Sequence, residues 1–260
     1  MATVMLDAGH GGFDNGAMFN GRKEKDDNLS LTLKVGQYLE NRGVNVIYTR
    51  TEDIYQSPNQ KAGIANRSDA DYFVSFHRNS SPEPDTYSGI QTLVYQTEGI
   101  PLVMAQNINK ELVKVGFKDL GIIERPNLAV LRGTRMPAVL VETGFINTEA
   151  DNNLFDERND DIARGIADAI IRTISGAAGK MLLKQNRTLK MLLRSFQFRL
   201  EHSDIMKMRI ILQKTYRNSV MTVLLKRADT LITFVTDGMM SMLMQKKQKK
   251  SFFKMLWRQG

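Results

Sequence analysis

The chain has three histidines, His10, His77 and His202, and no cysteine. A metal site must therefore be built from imidazoles and carboxylates, and both thiolate sites and a disulfide framework are excluded. Two of the histidines follow short apolar runs. Val4, Met5 and Leu6 lead through Asp7 to His10, which sits among Gly9, Gly11 and Gly12, and Tyr72–Phe76 leads directly into His77. A third run, Ala138–Val141, ends on Glu142. Four apolar residues running into a carboxylate imply that it is half-buried, and a buried carboxylate needs a partner. Glu24 lies in the charged stretch Arg22–Asp27, and Asp7, Asp14, Asp26 and Asp27 are rival carboxylates. Two neutral imidazoles and one carboxylate, with the fourth position left to water, form the ligand set of a catalytic zinc ion. A further carboxylate near that water would be its general base. Plainer readings compete: His10 as a loop residue, His77 as a hydrogen-bonded core histidine, Glu24 on a solvated face. His202 reads as ordinary surface.

Convergence of residues so far apart requires elements that deliver them to one edge. Short apolar runs bounded by turn residues read as buried strands. They are expected at the start of the chain up to His10, at Val44–Tyr48, Tyr72–Phe76, Ile90–Tyr95 and Ala138–Val141. Helices are expected at Lys25–Arg42, with Leu29, Leu33, Gly36 and Leu39 inward, and at Gln60–Arg67. Two more are expected at Leu102–Val115, with Leu102, Ala105, Ile108 and Leu112 inward, and at Asp160–Ile174. Such alternation predicts an α/β fold: a mostly parallel twisted sheet with helices on both faces. In open sheets of this kind, ligands bind outside the carboxyl ends of the strands, where His10, His77 and Glu142 would lie. The glycines around His10 let the backbone turn sharply and a ligand come close.

The net charge of +8 is unevenly spread. Residues 176–260 hold 18 basic and 4 acidic residues, against 18 and 24 in residues 1–175, and they hold 10 of the 15 methionines. We expect a domain over 1–175 and a basic, Met-rich C-terminal tail over 176–260, mainly helical or poorly ordered. Residues 180–200 have the pattern of a basic amphipathic helix, and Lys246, Lys247, Lys249 and Lys250 form a second basic cluster. The tail's expected partners are an anionic wall polymer or a membrane surface, and nucleic acid is not expected. The abrupt change in composition also fits an out-of-frame translation, which the nucleotide sequence would decide. No transmembrane span or secretory signal is visible. The expectation is a protein made in the cytoplasm that reaches its site of action by lysis, a holin or a non-standard route.

Several blocks in order resemble the zinc-dependent N-acetylmuramoyl-L-alanine amidases of the cell-wall autolysin type, over roughly Ala2–Ile174. They are DAGHGG at 7–12, EKDDNL at 24–29, SFHRN at 75–79 and VLVETGFINT at 139–148. Lesser similarities are YTR at 48–50, Arg67–His77 and Val130–Glu142. The resemblance implies a Zn2+ cofactor held by His10, Glu24 and His77, with Glu142 as general base. It also implies a peptidoglycan substrate, cut at the amide between N-acetylmuramoyl residues and L-alanine by zinc-bound water. Arg132 and Asn79 are candidate substrate-binding residues. Arg78 stands where the family usually has a small residue; beside a zinc ligand it could alter substrate choice or pair with a nearby acid. The alternatives are a non-catalytic peptidoglycan-binding or regulatory module on the same fold, or another zinc peptidase or amidohydrolase.

Overall fold

A computed structural model describes residues 2–177 and, beyond them, the strand segments 209–214, 221–227, 230–237 and 239–243. The chain divides into two compact units, Met1–Lys184 and Gln185–Gly260. The first unit is built on a six-stranded sheet in the order β4-β1-β5-β8-β6-β7. Its strands are β1 (Thr3–Ala8), β4 (Asn45–Tyr48), β5 (Tyr72–Asn79), β6 (Ile90–Val94), β7 (Asp119–Glu124) and β8 (Ala138–Phe145), and a two-stranded ribbon pairs β2 (Met18–Phe19) with β3 (Arg22–Lys23). The helices are α1 (Glu24–Glu40), α2 (Pro58–Arg67), α3 (Gly99–Val115), α4 (Ala129–Gly133), α5 (Glu149–Glu157) and α6, described over 159–177.

The sheet is parallel from β4 to β8, while β6 pairs antiparallel with β8. Loop length accounts for the reversal. The link from β5 to β6 is the ten residues between Asn79 and Ile90, without a helix; a parallel return needs a crossover of about a dozen residues or more. With α3 as a crossover, β7 runs parallel to β6.

The period of two along each strand sorts the core to two faces. On one face Val4, Leu6, Val74, Phe76, Val139 and Val141 pack against Leu31, Val35 and Leu39 of α1, Ile108 and Leu112 of α3, and Ile162, Ile166 and Ile170 of α6. On the other, Met5, Phe73 and Leu140 pack against Ala65 of α2 and Val130 and Leu131 of α4. Helices thus cover both faces.

The inward stripe of α1 differs from the expected one. Leu31, Val35 and Leu39 are buried, whereas Leu33 is 37% exposed and Leu29 only partly buried. The helix begins at Glu24 and buries the polar residues Glu24, Lys25 and Asn28 near its start, which rotates the stripe away from the most apolar reading of the sequence. In α3, Met104 takes the buried place given to Leu102. Strand β7 was not foreseen; its sequence, DLGIIE, carries a glycine and acids at both ends and stands at the sheet edge.

In the second unit, β9 (Arg209–Lys214), β10 (Met221–Arg227), β11 (Thr230–Asp237) and β12 (Met239–Leu243) form an antiparallel sheet in the order β12-β11-β10-β9. The described part of the tail is therefore extended. The basic helix expected at 180–200, the lysine cluster at 246–250 and His202 lie outside the described residues. Among the described residues no helix is long and apolar enough to cross a membrane.

Candidate metal and catalytic site

Three side chains from separate elements meet at the carboxyl ends of the central strands. His10 follows β1, Glu24 opens α1 and His77 lies near the end of β5. One ligand atom from each lies within 4.8 Å of the others. Glu24 Oε1 is 3.2 Å from His10 Nε2 and 2.8 Å from His77 Nδ1, and the imidazole rings meet edge to face with centroids 4.9 Å apart.

The surroundings aim these donors. His10 has a φ of 58°, the left-handed region that non-glycine residues seldom occupy. Such strain persists only where its surroundings impose it. Here a bridge between Gly11 and Asp14 closes the turn, and Asp14 Oδ2 lies 2.9 Å from His10 Nδ1. That contact leaves Nε2 facing Glu24, the carboxylate–histidine arrangement that orients metal-bound imidazoles. The Ala17 amide donates to Glu24 Oε2 at 2.8 Å, while the Asn28 amide group and the Arg78 backbone N–H reach Oε1 at 3.2 Å each. Burial pulls the His10 imidazole down, but the Glu24 and Asp14 carboxylates more than offset it and raise it to about 9. Burial works against the Glu24 charge, yet hydrogen bonds from His10 and His77 hold its carboxyl well below the usual range.

Glu142 completes the cluster from β8. It is the register partner of His77 across the β5–β8 pair, so both side chains leave the sheet on the same face. Its Oε2 is buried without a hydrogen-bond partner among the described residues. Burial pushes this carboxyl up to about 6, against the pull of His77. A buried, unpaired carboxylate oxygen beside two imidazoles and a second carboxylate fits a group waiting for a proton donor or a cation. The donor set itself, two nitrogens and an oxygen with an acid alongside, suits a borderline-soft divalent ion with an open position.

Asp14 supports His10, and the other rival acids stay outside the donor group. Asp7 is fully buried and accepts from Lys61 at 2.7 Å, Thr49 at 2.6 Å and Ser75 at 2.6 Å. Asp26 is exposed. Asp27 binds Arg22 at 2.7 Å and Arg78 at 2.5 Å. Arg78, one residue past His77, leaves the sheet on the opposite face and stacks over Phe155 at 4.2 Å from the ring centre. It also donates to Asn152 at 2.7 Å. Of its two foreseen roles, the structure shows the pairing with an acid. Asn79 lies at the end of β5, with its side-chain amide 3.3 Å from Gln91. Arg132 is exposed on α4, and no side-chain hydrogen bond or ion pair of it occurs among the described residues. Neither is one of the three grouped donors; Gln91, the partner of Asn79, is the register neighbour of Glu142 across the β6–β8 pair.

Two supports escaped the sequence reading. Asp14 was weighed only as a rival ligand, although its spacing of four from His10 could have suggested an orienting partner. Arg50 is buried and donates to the carbonyls of Ala8, Gly9, Lys25 and Glu52, tying the His10 turn to the start of α1. Only the YTR similarity pointed to it.

Gly9 is packed under His77, and a Cβ there would overlap the imidazole ring. Gly9→Ala is expected to displace His77 and weaken divalent-metal affinity about 10- to 100-fold, the usual range for losing a supporting residue. Competition with a chromogenic chelator measures this; unchanged affinity would show that the His77 ring position does not matter to the site.

A family model described as Amidase_3, N-acetylmuramoyl-L-alanine amidase, matches residues 4–172. A sporulation-specific N-acetylmuramoyl-L-alanine amidase of Bacillus subtilis is 38% identical over 157 residues, 59% of this chain and 60% of the relative. An endolysin of Bacillus phage SPP1 is 39% identical over 179 residues, 66% of each chain. The chain thus spans about three fifths to two thirds of these relatives. Among solved structures, an N-acetylmuramoyl-L-alanine amidase from Clostridium difficile 630 aligns with a TM-score of 0.63 at 35% identity, over 67% of this chain and 97% of that one.

Proposed function

The chain belongs to the Amidase_3 family of N-acetylmuramoyl-L-alanine amidases, and from that premise we propose that it acts on the cell wall, hydrolysing the amide between N-acetylmuramoyl residues and L-alanine in peptidoglycan. In this reading His10, Glu24 and His77 hold a zinc ion and Glu142 is the general base. The observation that carries the reading is the meeting of three donors within 4.8 Å beside a carboxylate that is buried and unpaired at Oε2. Zinc in such a site supplies Lewis acidity, polarising the scissile carbonyl and making water acidic near neutral pH.

The chain's own groups do the rest. Asp14 holds the His10 ring with Nδ1 occupied, so that Nε2 is presented to the ion. The Ala17 amide engages one oxygen of Glu24 and leaves the other toward the histidines. Glu142 Oε2 takes the proton of the attacking water and returns it to the departing L-alanine amine. A carboxyl accepts and releases a proton with least penalty when its pKa lies near the working pH, and burial moves Glu142 in that direction while a bound cation works against it.

The pH dependence follows in sign. The base must be ionised, so kcat/KM rises with pH through the Glu142 pKa, about 6. A bound cation lowers that value. At saturating zinc the acid limb is therefore expected at or below pH 6. A limb centred above pH ~7 would assign the base to another group. Zinc must be saturating because His10, drawn up to about 9, otherwise exchanges its proton for the ion.

Residues 1–175 would form the catalytic domain. Residues 176–260, with 18 basic and 4 acidic side chains, would hold the enzyme to an anionic wall polymer or membrane surface. The direct test of the activity is analysis of fragments from digested walls. Release of peptides with a free L-alanine amine and intact muramoyl groups is expected; cleavage within the stem peptide would point to another zinc peptidase.

A further inference from the structure

Phe13 lies three residues after His10 and is 79% exposed. Its ring packs on that of Tyr55, with centroids 4.1 Å apart and planes inclined by 30°. Tyr55 is 41% exposed and its neighbour Ile54 46%. The patch is firmly held. Gly11 and Asp14 exchange backbone hydrogen bonds at 2.9 and 3.2 Å across the turn that carries Phe13. The Gly12 amide donates to Asp53 at 2.8 Å, and Lys25 ties the Gly12 carbonyl to the same carboxylate. Gly12, at a φ of +61°, sits so close to Tyr55 that a Cβ would lie 2.7 Å from its backbone nitrogen. The same turn fixes His10 through Asp14. An apolar surface presented on a rigid turn beside a reactive centre marks a binding site rather than a loose loop.

We propose that Phe13, Tyr55 and Ile54 form a stacking platform for a sugar ring of the glycan strand next to the cleaved amide. The proposal rests on the peptidoglycan reading above. A pyranose presents a flat face of C–H groups that matches an aromatic face, whose electron-rich surface attracts them. Charge decides between the two halves of the substrate. Partly exposed carboxylates of Asp14 and Asp53 flank the platform, and Lys25 is committed to Asp53. Asp14 in turn faces His10, so both acids of the rim are already paired and add no net charge to the platform. A stem peptide carrying carboxylates or an anionic lipid surface gains no ionic attraction from these pairs, whereas a glycan whose lactyl carboxyl is bound up in the amide is uncharged and needs none.

The test is binding of a neutral, peptide-free sugar, chitotetraose, to the full-length chain, followed by NMR through the amides of Gly12, Phe13, Ile54 and Tyr55. Shifts centred on these residues are expected in the wild type and are lost in the Phe13→Ala/Tyr55→Ala variant. Both aromatic side chains are partly or largely exposed, so the variant's remaining spectrum serves as the check that it folds. With glycan-bearing wall fragments the same variant is expected to raise KM about tenfold, the effect of losing ~1.4 kcal/mol of contact. Shifts that persist in the double variant, that map elsewhere, or that arise with a soluble stem peptide instead of the sugar would overturn the platform. So would concentration-dependent self-association through this patch. If chitotetraose binds at these residues but walls are not cut, the amidase reading fails and the platform stands.

Discussion

Glu142→Gln is expected to bind zinc as the wild type does and to lose turnover of purified cell walls by about 10³-fold, within the ~10²–10⁴-fold contribution of a positioned acid–base group. Glutamine keeps the shape of the side chain and removes the basic oxygen. Among the described residues Glu142 Oε2 has no hydrogen-bond partner, so the substitution breaks no bond with them at that atom. A second readout moves the opposite way. Burial raises the Glu142 carboxyl from the ordinary 4.5 to about 6, so this group's contribution to stability falls as the pH climbs from 4.5 to about 6 and is fully lost above it. The metal-free variant should therefore melt at a higher temperature than the metal-free wild type at pH ~7. Lost activity with gained stability distinguishes a functional carboxylate from a structural one. A variant that digests walls at the wild-type rate removes Glu142 from the mechanism.

Removing the metal is the second large effect. Dialysis against a chelator is expected to lower wall hydrolysis by at least ~10³-fold, since a Lewis-acid centre supplies several kcal/mol of charge stabilisation. Zinc should restore the rate, and magnesium should not, because a site with two imidazoles disfavours a small, hard, octahedral ion. Turnover measured before and after reconstitution checks this. Full activity in protein shown to be metal-free would exclude the site.

Much of this site is legible in the sequence because its side chains close apolar runs. His77 and Glu142 follow Phe73–Phe76 and Val139–Val141 directly, and in a parallel sheet such endings share one edge. Glu24 was not singled out by spacing, since nothing in the run from Arg22 to Asp27 separates a ligand from a solvated acid; only the block resemblance did so. The fold explains the choice. Glu24 is the first residue of α1 and turns inward, whereas Asp27 is drawn to Arg22 and Arg78 on the opposite side. Long-range pairings of that kind have no local signature, which is also why the part played by Arg78 stayed open until its neighbours were known. The inward stripe of α1 was misassigned for a related reason: apolar periodicity sees Leu29 and Leu33, while the burial of Glu24, Lys25 and Asn28 fixes the helix rotation. Edge strand β7, half-exposed and interrupted by Gly121, offers neither alternation nor an apolar run. Arg132 is put forward from its position ahead of the last strand and Asn79 from its place in the second histidine block; both concern substrate contacts, which the arrangement of the metal donors does not address.

The most direct measurement is anomalous X-ray diffraction at the zinc edge from crystals grown with zinc. One ion is expected, bonded to His10, Glu24 and His77 at about 2.0–2.2 Å, with the Glu142 carboxylate facing it and outside its bonding distance. An ion held by other residues, or none at this cluster at saturating zinc, would contradict the assignment.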